Sequence, residues 1–229
     1  MSPFISCEHA TFYVPREYRK WFAAEPSILR THEGVDRGAR KIARALGHAL
    51  QTPLWMGSVS RLLVDLNRSI DNPQIFSRFV SSDAAIRQHL LACFYYPYRD
   101  AVGEWVRSQI ATGLVVHFGI HSFTPDFPGS ERNFDLGLLY DPANSLEIAL
   151  AHEMGNCIET QGHFSLRHNQ PYLGTDDGLT TALRRRFAGS YAGIEIEVNQ
   201  ALVDDKDRMQ FLVQQLRQAI EQATLQIKV

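Results

Sequence analysis

Four short segments of this 229-residue chain place catalytic residue types where runs of apolar residues stop. Glu8-His9 follows Pro3–Cys7, Asp65-Leu66-Asn67-Arg68 closes the run from Leu62, and His121-Ser122 follows Gly113–Gly119, while Glu195 and Glu197 alternate within Gly193–Val198. In open α/β sheets ligands bind beyond the carboxyl ends of the strands, so polar residues at those ends carry extra weight. Together the segments supply imidazoles, carboxylates and a guanidinium. Metal-assisted hydrolysis uses that set: neutral histidines and a carboxylate for zinc, a carboxylate base, and a cation for the anionic part of a substrate. Singly, each segment has an ordinary structural reading: a hydrogen-bonded histidine, a turn with a solvated arginine, a glutamate facing water. Their joint placement at strand ends is what points to chemistry.

Other constellations carry less. His32 and Asp36 would lie one helical turn apart, but Gly34 stands between them and a helix starts better at Asp36. His152-Glu153 lacks the second histidine of H-E-x-x-H, since position 156 is Asn156. There is no G-x-S-x-G elbow, no P-loop and no G-x-G-x-x-G, which leaves serine hydrolysis and nucleotide binding unsupported. A thiolate at Cys7 would sit beside Glu8, an unfavourable pairing for a nucleophile. The run Arg184-Arg185-Arg186 reads as a solvated helix face.

The elements that must position these residues alternate between short strands and longer helices. Strands are expected at Pro3–Cys7, Leu54–Met56, Leu62–Asp65, Gly113–Gly119, Asp135–Tyr140, Phe164–Arg167 and Gly193–Val198. Helical spacing covers Arg37–Leu50, Ser145–Glu159, Thr180–Phe187 and Lys206–Ile227. A further helix is expected from Asp83, a suitable N-cap, to Gln109, broken or kinked at Pro97. This alternation predicts a layered α/β fold with a largely parallel sheet, and the absence of a linker-like stretch predicts one domain over 1–229.

Composition excludes some partners. With 23 Lys+Arg against 25 Asp+Glu, a formal charge of −2 provides no broad basic field for nucleic acid. No apolar stretch approaches a membrane span, and MSPFISCEHA has no basic region ahead of a hydrophobic run. Three scattered cysteines do not make a disulfide framework, so a reducing cytoplasm is the expected location. A monomer or small homo-oligomer is expected.

The series ISCEHA, Val35-Asp36-Arg37-Gly38-Ala39, SRLLVDLNR, YYPYR, GIHS, NQPYLGTDDG and GIEIEVNQ, in this order, resembles the N-formylglutamate amidohydrolase family over about residues 5–200. The resemblance implies a three-layer α/β/α fold with a mixed, largely parallel central sheet, like the zinc carboxypeptidases and aspartoacylases (phosphorylase/hydrolase-like). It implies one zinc ion on His9, Asp36 and His121, with Glu197 as general base and Glu195 as its alternative. Arg61 would polarise the scissile carbonyl. Asn67 and Arg68 would hold a substrate carboxylate, and Asn169 and Asp177 would be further substrate contacts. The implied substrate is a small acidic N-acyl amino acid such as N-formylglutamate. Two departures from the family stand out, Arg99 after Pro-Tyr where it often has histidine and a chain that is compact for it; against the carboxypeptidases, Phe12 occupies the place of the carboxylate in H-x-x-E. The rival readings are a ligand-binding protein that has lost catalysis and a zinc carboxypeptidase acting on a small peptide.

Overall fold

A computed structural model describes residues 1–127, 129 and 132–227. Six strands form one sheet in the order β2-β1-β3-β6-β4-β5, with β1 at Ser2–Cys7, β2 at Leu54–Met56, β3 at Val115–Phe123, β4 at Leu136–Leu139, β5 at Leu166–His168 and β6 at Tyr191–Asn199. All neighbours pair in parallel except β4 and β6, which run antiparallel. The sheet is therefore mixed and largely parallel, as expected.

Successive side chains of a strand point to opposite faces, and here the two faces have different jobs. Ile5 and Cys7 of β1, Val116, Phe118 and Ile120 of β3, and Ala192, Ile194, Ile196 and Val198 of β6 turn one way, into the largest core. Helices α1 (Ala39–Ala49), α4 (Ser145–Gln161) and α6 (Lys206–Gln226) cover that side with Ile42, Leu46, Leu150, Met154, Leu212, Leu216 and Ile220. On the other side Phe4, Val115 and Tyr191 pack with Val102 and Val106 of α3 (Tyr96–Ile110) and Leu179 and Leu183 of α5 (Leu179–Arg186). Three layers result.

The expected break in the long helix is observed. Asp83 caps α2 (Ala84–Leu90) by accepting from the Ala85 and Ile86 N–H groups. A π-helical turn over Leu91–Tyr95 then hands the chain to α3, whose first turn contains Pro97. The wider turn accommodates a residue with no N–H to donate.

Two expectations are corrected. Leu62–Asp65 is a turn and not a strand: Leu63 donates back to the Ser60 carbonyl, while Leu62, Leu63, Val64 and Leu66 fill a separate core with Phe22, Ile28 and Leu90. An apolar run without period cannot distinguish the two. Nor is Arg184 solvated. It meets the fully buried Glu147 through Nε and Nη2, each 2.9 Å from a carboxylate oxygen, while Gly193 and Asp141 donate backbone N–H groups to the same carboxylate at 2.9 and 2.8 Å. Arg185 and Arg186 remain exposed.

Glu147 thus ties α4, α5, β6 and the turn before α4 together. Removing one partner of a buried pair leaves an uncompensated charge, at a cost of about 3–5 kcal/mol. Glu147→Ala should lose that much in a urea unfolding series, and replacing both partners, Glu147→Gln with Arg184→Met, should recover part of it, because the amide oxygen still accepts from the Gly193 and Asp141 N–H groups.

Candidate active site

The second face of the sheet changes character toward the carboxyl ends of its strands. Positions in phase with Phe4, Val115 and Tyr191 continue as Ser6 and Glu8, as His117 and His121, and as Glu195 and Glu197. His121 and Glu197 are register partners on neighbouring strands, so the parallel ladder itself sets them side by side. His121 lies within β3 rather than beyond its end.

Asp36 reaches this place from a loop. Its backbone N–H donates to the His9 carbonyl at 3.1 Å, and Gly38, at φ 84°, turns the chain into α1. A residue with a Cβ is strained in that left-handed conformation. Asp36 Oδ2 then lies 3.3 Å from His9 Nδ1 and 2.9 Å from His121 Nδ1. His9, Asp36 and His121 each offer a ligand atom within 4.8 Å of the others, and all three are buried. Such a group could hold a metal ion.

Further carboxylates stand behind the histidines. His9 Nε2 donates to Asp65 Oδ1 at 2.8 Å, and His121 Nε2 lies 3.2 Å from Glu8 Oε2, close enough for an ion pair but not aligned for a hydrogen bond. The Tyr98 hydroxyl donates to the other Glu8 oxygen at 2.7 Å. Arg61 directs Nε and Nη2 to Asp65 Oδ2 at 3.2 and 2.9 Å, and its Nη1 is 3.6 Å from Asp36 Oδ1. Against a burial that would raise them, the surrounding cations hold these acids down: Arg61 and His9 act on Asp65, His9 and His121 on Asp36, and His121 brings Glu8 to about 2. Burial would lower both imidazoles, but the carboxylates raise His9 and His121 instead.

Glu197 is different. Burial, reinforced by the charges of Asp36 and Glu195 and opposed by His121, pushes its carboxyl up to about 8. Its Oε2 is buried without a hydrogen-bond partner among the described residues. Glu195, two residues earlier on the same face, accepts from the Thr180 hydroxyl at 2.7 Å. Opposite Glu197 across the antiparallel ladder stands Gly137, where a Cβ would fall 2.1 Å from the Gln170 carbonyl oxygen and 3.2 Å from the Glu197 Cβ. A side chain at 137 would therefore displace either the 170 loop or the carboxylate.

These groups open onto a cavity of about 170 Å³. Its walls include Arg61, Asn67, Arg68 and Asp177, and its mouth includes Phe127, Tyr172 and Leu173. Asn67 Oδ1 accepts from Leu179 N–H at 2.7 Å, and Arg68 Nη1 donates to the Asp177 carbonyl at 3.0 Å. The Asp177 carboxylate is committed to Ser69 N–H and the Asn72 amide, so it braces the Arg68 loop. Asn169 does not line the cavity. Its Oδ1 accepts from Tyr140 and Gly174 N–H, both at 3.0 Å, and clamps its own loop at φ 51°.

Asp65 and Glu8 belong to the segments that stand out at strand ends, but neither gained a specific site role from sequence reasoning. The pairing of residues 56 positions apart, as in His9 and Asp65, leaves no mark in local pattern. Cys7 is buried, and burial first, then Asp36 and Glu8, push its thiol up, which agrees with an inert role.

A family model described as N-formylglutamate amidohydrolase matches residues 2–203. Among solved structures, gene product Atu2144 from Agrobacterium tumefaciens is 27% identical, with a TM-score of 0.86 over 98% of this chain and 90% of its own. N-formylglutamate amidohydrolase from Ralstonia eutropha JMP134 is 17% identical, with a TM-score of 0.73 over 98% of this chain and 93% of its own, a likeness of fold. Comparison with curated proteins gives no match. No helix among the described residues is long and apolar enough to cross a membrane.

Beneath the site, His117 is a satisfied core histidine: Nε2 is 2.6 Å from Ser6 Oγ, Nδ1 is 2.6 Å from the Tyr191 hydroxyl, and the ring stacks on Phe4 at 4.2 Å. Burial lowers it from 6.5 to about 3. The unfolded chain then binds the extra proton between those values, so this contribution is complete above pH 6.5 and is lost as pH falls toward 3. The slope is at most about 1.4 kcal/mol per pH unit. Urea unfolding across pH 4.5–6.5 should show stability falling more steeply with acid in the parent protein than in His117→Gln.

Proposed function

The chain belongs to the N-formylglutamate amidohydrolase family, and on that premise we propose that it hydrolyses the amide bond of a small N-acyl amino acid of the N-formylglutamate type, using one zinc ion. The observation that carries this reading is the convergence of His9, Asp36 and His121 within 4.8 Å beside a Glu197 whose buried Oε2 has no hydrogen-bond partner among the described residues. Two imidazoles and a carboxylate suit zinc and leave a coordination position for water. A zinc ion bound there supplies a Lewis acid that makes water acidic near neutral pH.

The chain's own groups do the rest. Asp65 and Glu8, at the Nε2 atoms of His9 and His121, fix how the two rings are turned. Glu197 takes a proton from the attacking water and returns it to the departing amine. Positive charge nearby brings a carboxyl raised by burial back toward neutrality, the range in which one group can perform both transfers. Glu195 is the weaker candidate for this work because its Oε1 already accepts from Thr180. Arg61, pinned by Asp65, would donate to the oxygen that gains charge in the transition state, where one donor is typically worth ~2.7–4 kcal/mol. Arg68 and the Asn67 amide would hold the substrate carboxylate, with Asp177 bracing their loop. Asn169 is left out of this reading because it does not face the cavity.

The test is metal content read beside kinetics on zinc-supplied protein. His121→Ala should lose bound zinc and activity together. Glu197→Gln should keep its zinc and lose kcat by ~10²–10⁴-fold. Asp65→Asn should weaken zinc affinity about 10–100-fold. Equal zinc content and equal activity in the parent protein and His121→Ala would overturn the proposal.

A further inference from the structure

The charges around the cavity are unevenly distributed. Apart from Asp36 and Glu197 on its floor, its walls carry the carboxylates Asp177 and Glu195 against the two arginines Arg61 and Arg68, while the exposed Asp176, like His32, is screened by solvent. Arg61 is held by Asp65 and Asp36. Arg68 makes no ion pair among the described residues, and its guanidinium donates to the Asp177 backbone carbonyl. The wall therefore offers an anionic substrate one arginine outside an ion pair, and Asp177 and Glu195 oppose a second carboxylate.

The mouth is apolar. Leu173, Phe127 and Tyr172 line it while 55%, 43% and 42% exposed. Arg132 lies beneath this rim, with its guanidinium 4.3 Å from the Phe127 ring and 5.2 Å from the Tyr172 ring, and Nη1 donates to the Thr124 carbonyl. It is absent from the cavity lining and lies against the two aromatic side chains. His32 stands edge-on to Phe127 at 6.3 Å and is exposed, so solvent screens any charge it carries. Exposed apolar surface gathered at a binding cavity marks the part of a ligand that is buried there.

We propose that the cavity selects an N-acyl amino acid with a single carboxylate, held by Arg68, and an uncharged apolar side chain against Leu173, Phe127 and Tyr172, in preference to the dicarboxylate N-formylglutamate. The inference rests on the amidohydrolase reading above and narrows its substrate. It adds no chemical step: the bonds broken and formed are those of amide hydrolysis, with water consumed.

The experiment measures kcat/KM of the zinc-supplied enzyme on the N-formyl derivatives of leucine, phenylalanine, glutamine, glutamate and lysine, with inhibition constants for the free amino acids as an independent binding readout. Leucine and phenylalanine derivatives should exceed the glutamate derivative by about ten-fold or more. The glutamine derivative, the same shape without the charge, should also exceed it. Leu173→Lys should move the ratio toward glutamate several-fold. If N-formylglutamate equals or exceeds the apolar derivatives, the substrate inference falls and the amidohydrolase reading stands. Preference for the lysine derivative overturns it also, because acidic walls rather than the rim would then select. If no derivative is hydrolysed and no amino acid inhibits, both readings fall.

Discussion

The carboxylate of Asp36, shared through one oxygen by His9 and His121, is the interaction on which the site depends. A charge removed from water must be paired, and here each pairing calls for the next. Asp36 draws in two imidazoles, and their far nitrogens meet Asp65 and Glu8. Asp65 in turn engages Arg61, and Glu8 takes a hydroxyl from Tyr98. Three carboxylates thus face one guanidinium and two imidazoles whose hold on a proton these carboxylates strengthen. A dication with neutral imidazoles would balance the same three acids, so the cluster suits an ion without rearranging its outer ring of partners.

Strand alternation brings these groups together. A single phase of β1, β3 and β6 delivers the buried apolar face to α1, α4 and α6, and the opposite phase runs from an apolar start at Phe4, Val115 and Tyr191 to a polar end at Glu8, His121 and Glu197. His117 marks the transition. It is polar in kind but closed off by Ser6 and Tyr191, so it belongs to the core although it shares a face with the site.

Much of this was legible in the chain because alternation and strand-end placement are local signals. Glu8-His9, His121 and Glu197 stood out for that reason, and Asp36 followed from the family resemblance. What stayed hidden was long-range pairing. Leu62–Asp65 reads as a strand because an aperiodic apolar run has two solutions, and only packing against Phe22 and Leu90 selects the turn. Arg184 reads as solvated because its partner, Glu147, is 37 residues away on another helix. Asn169 looked like a ligand contact in a Gly/Pro-rich segment, yet its side chain closes its own loop. Polar residues in turns serve the backbone as readily as a ligand.

His121 and Glu197 stand on strands hydrogen-bonded along both edges, whereas Arg68, Phe127, Tyr172 and Leu173 hang from connecting segments. His121 and Glu197 thus have a mechanical support that the loop-borne His9, Asp36 and Arg61 and the residues proposed for recognition do not share. Sheet positions are fixed by ladders that tolerate little displacement, while loops accept exchange and insertion. Such a division makes the molecule evolvable in one respect and conservative in another. New substrates can be reached by altering the segments around the mouth, and the reaction performed on them need not change.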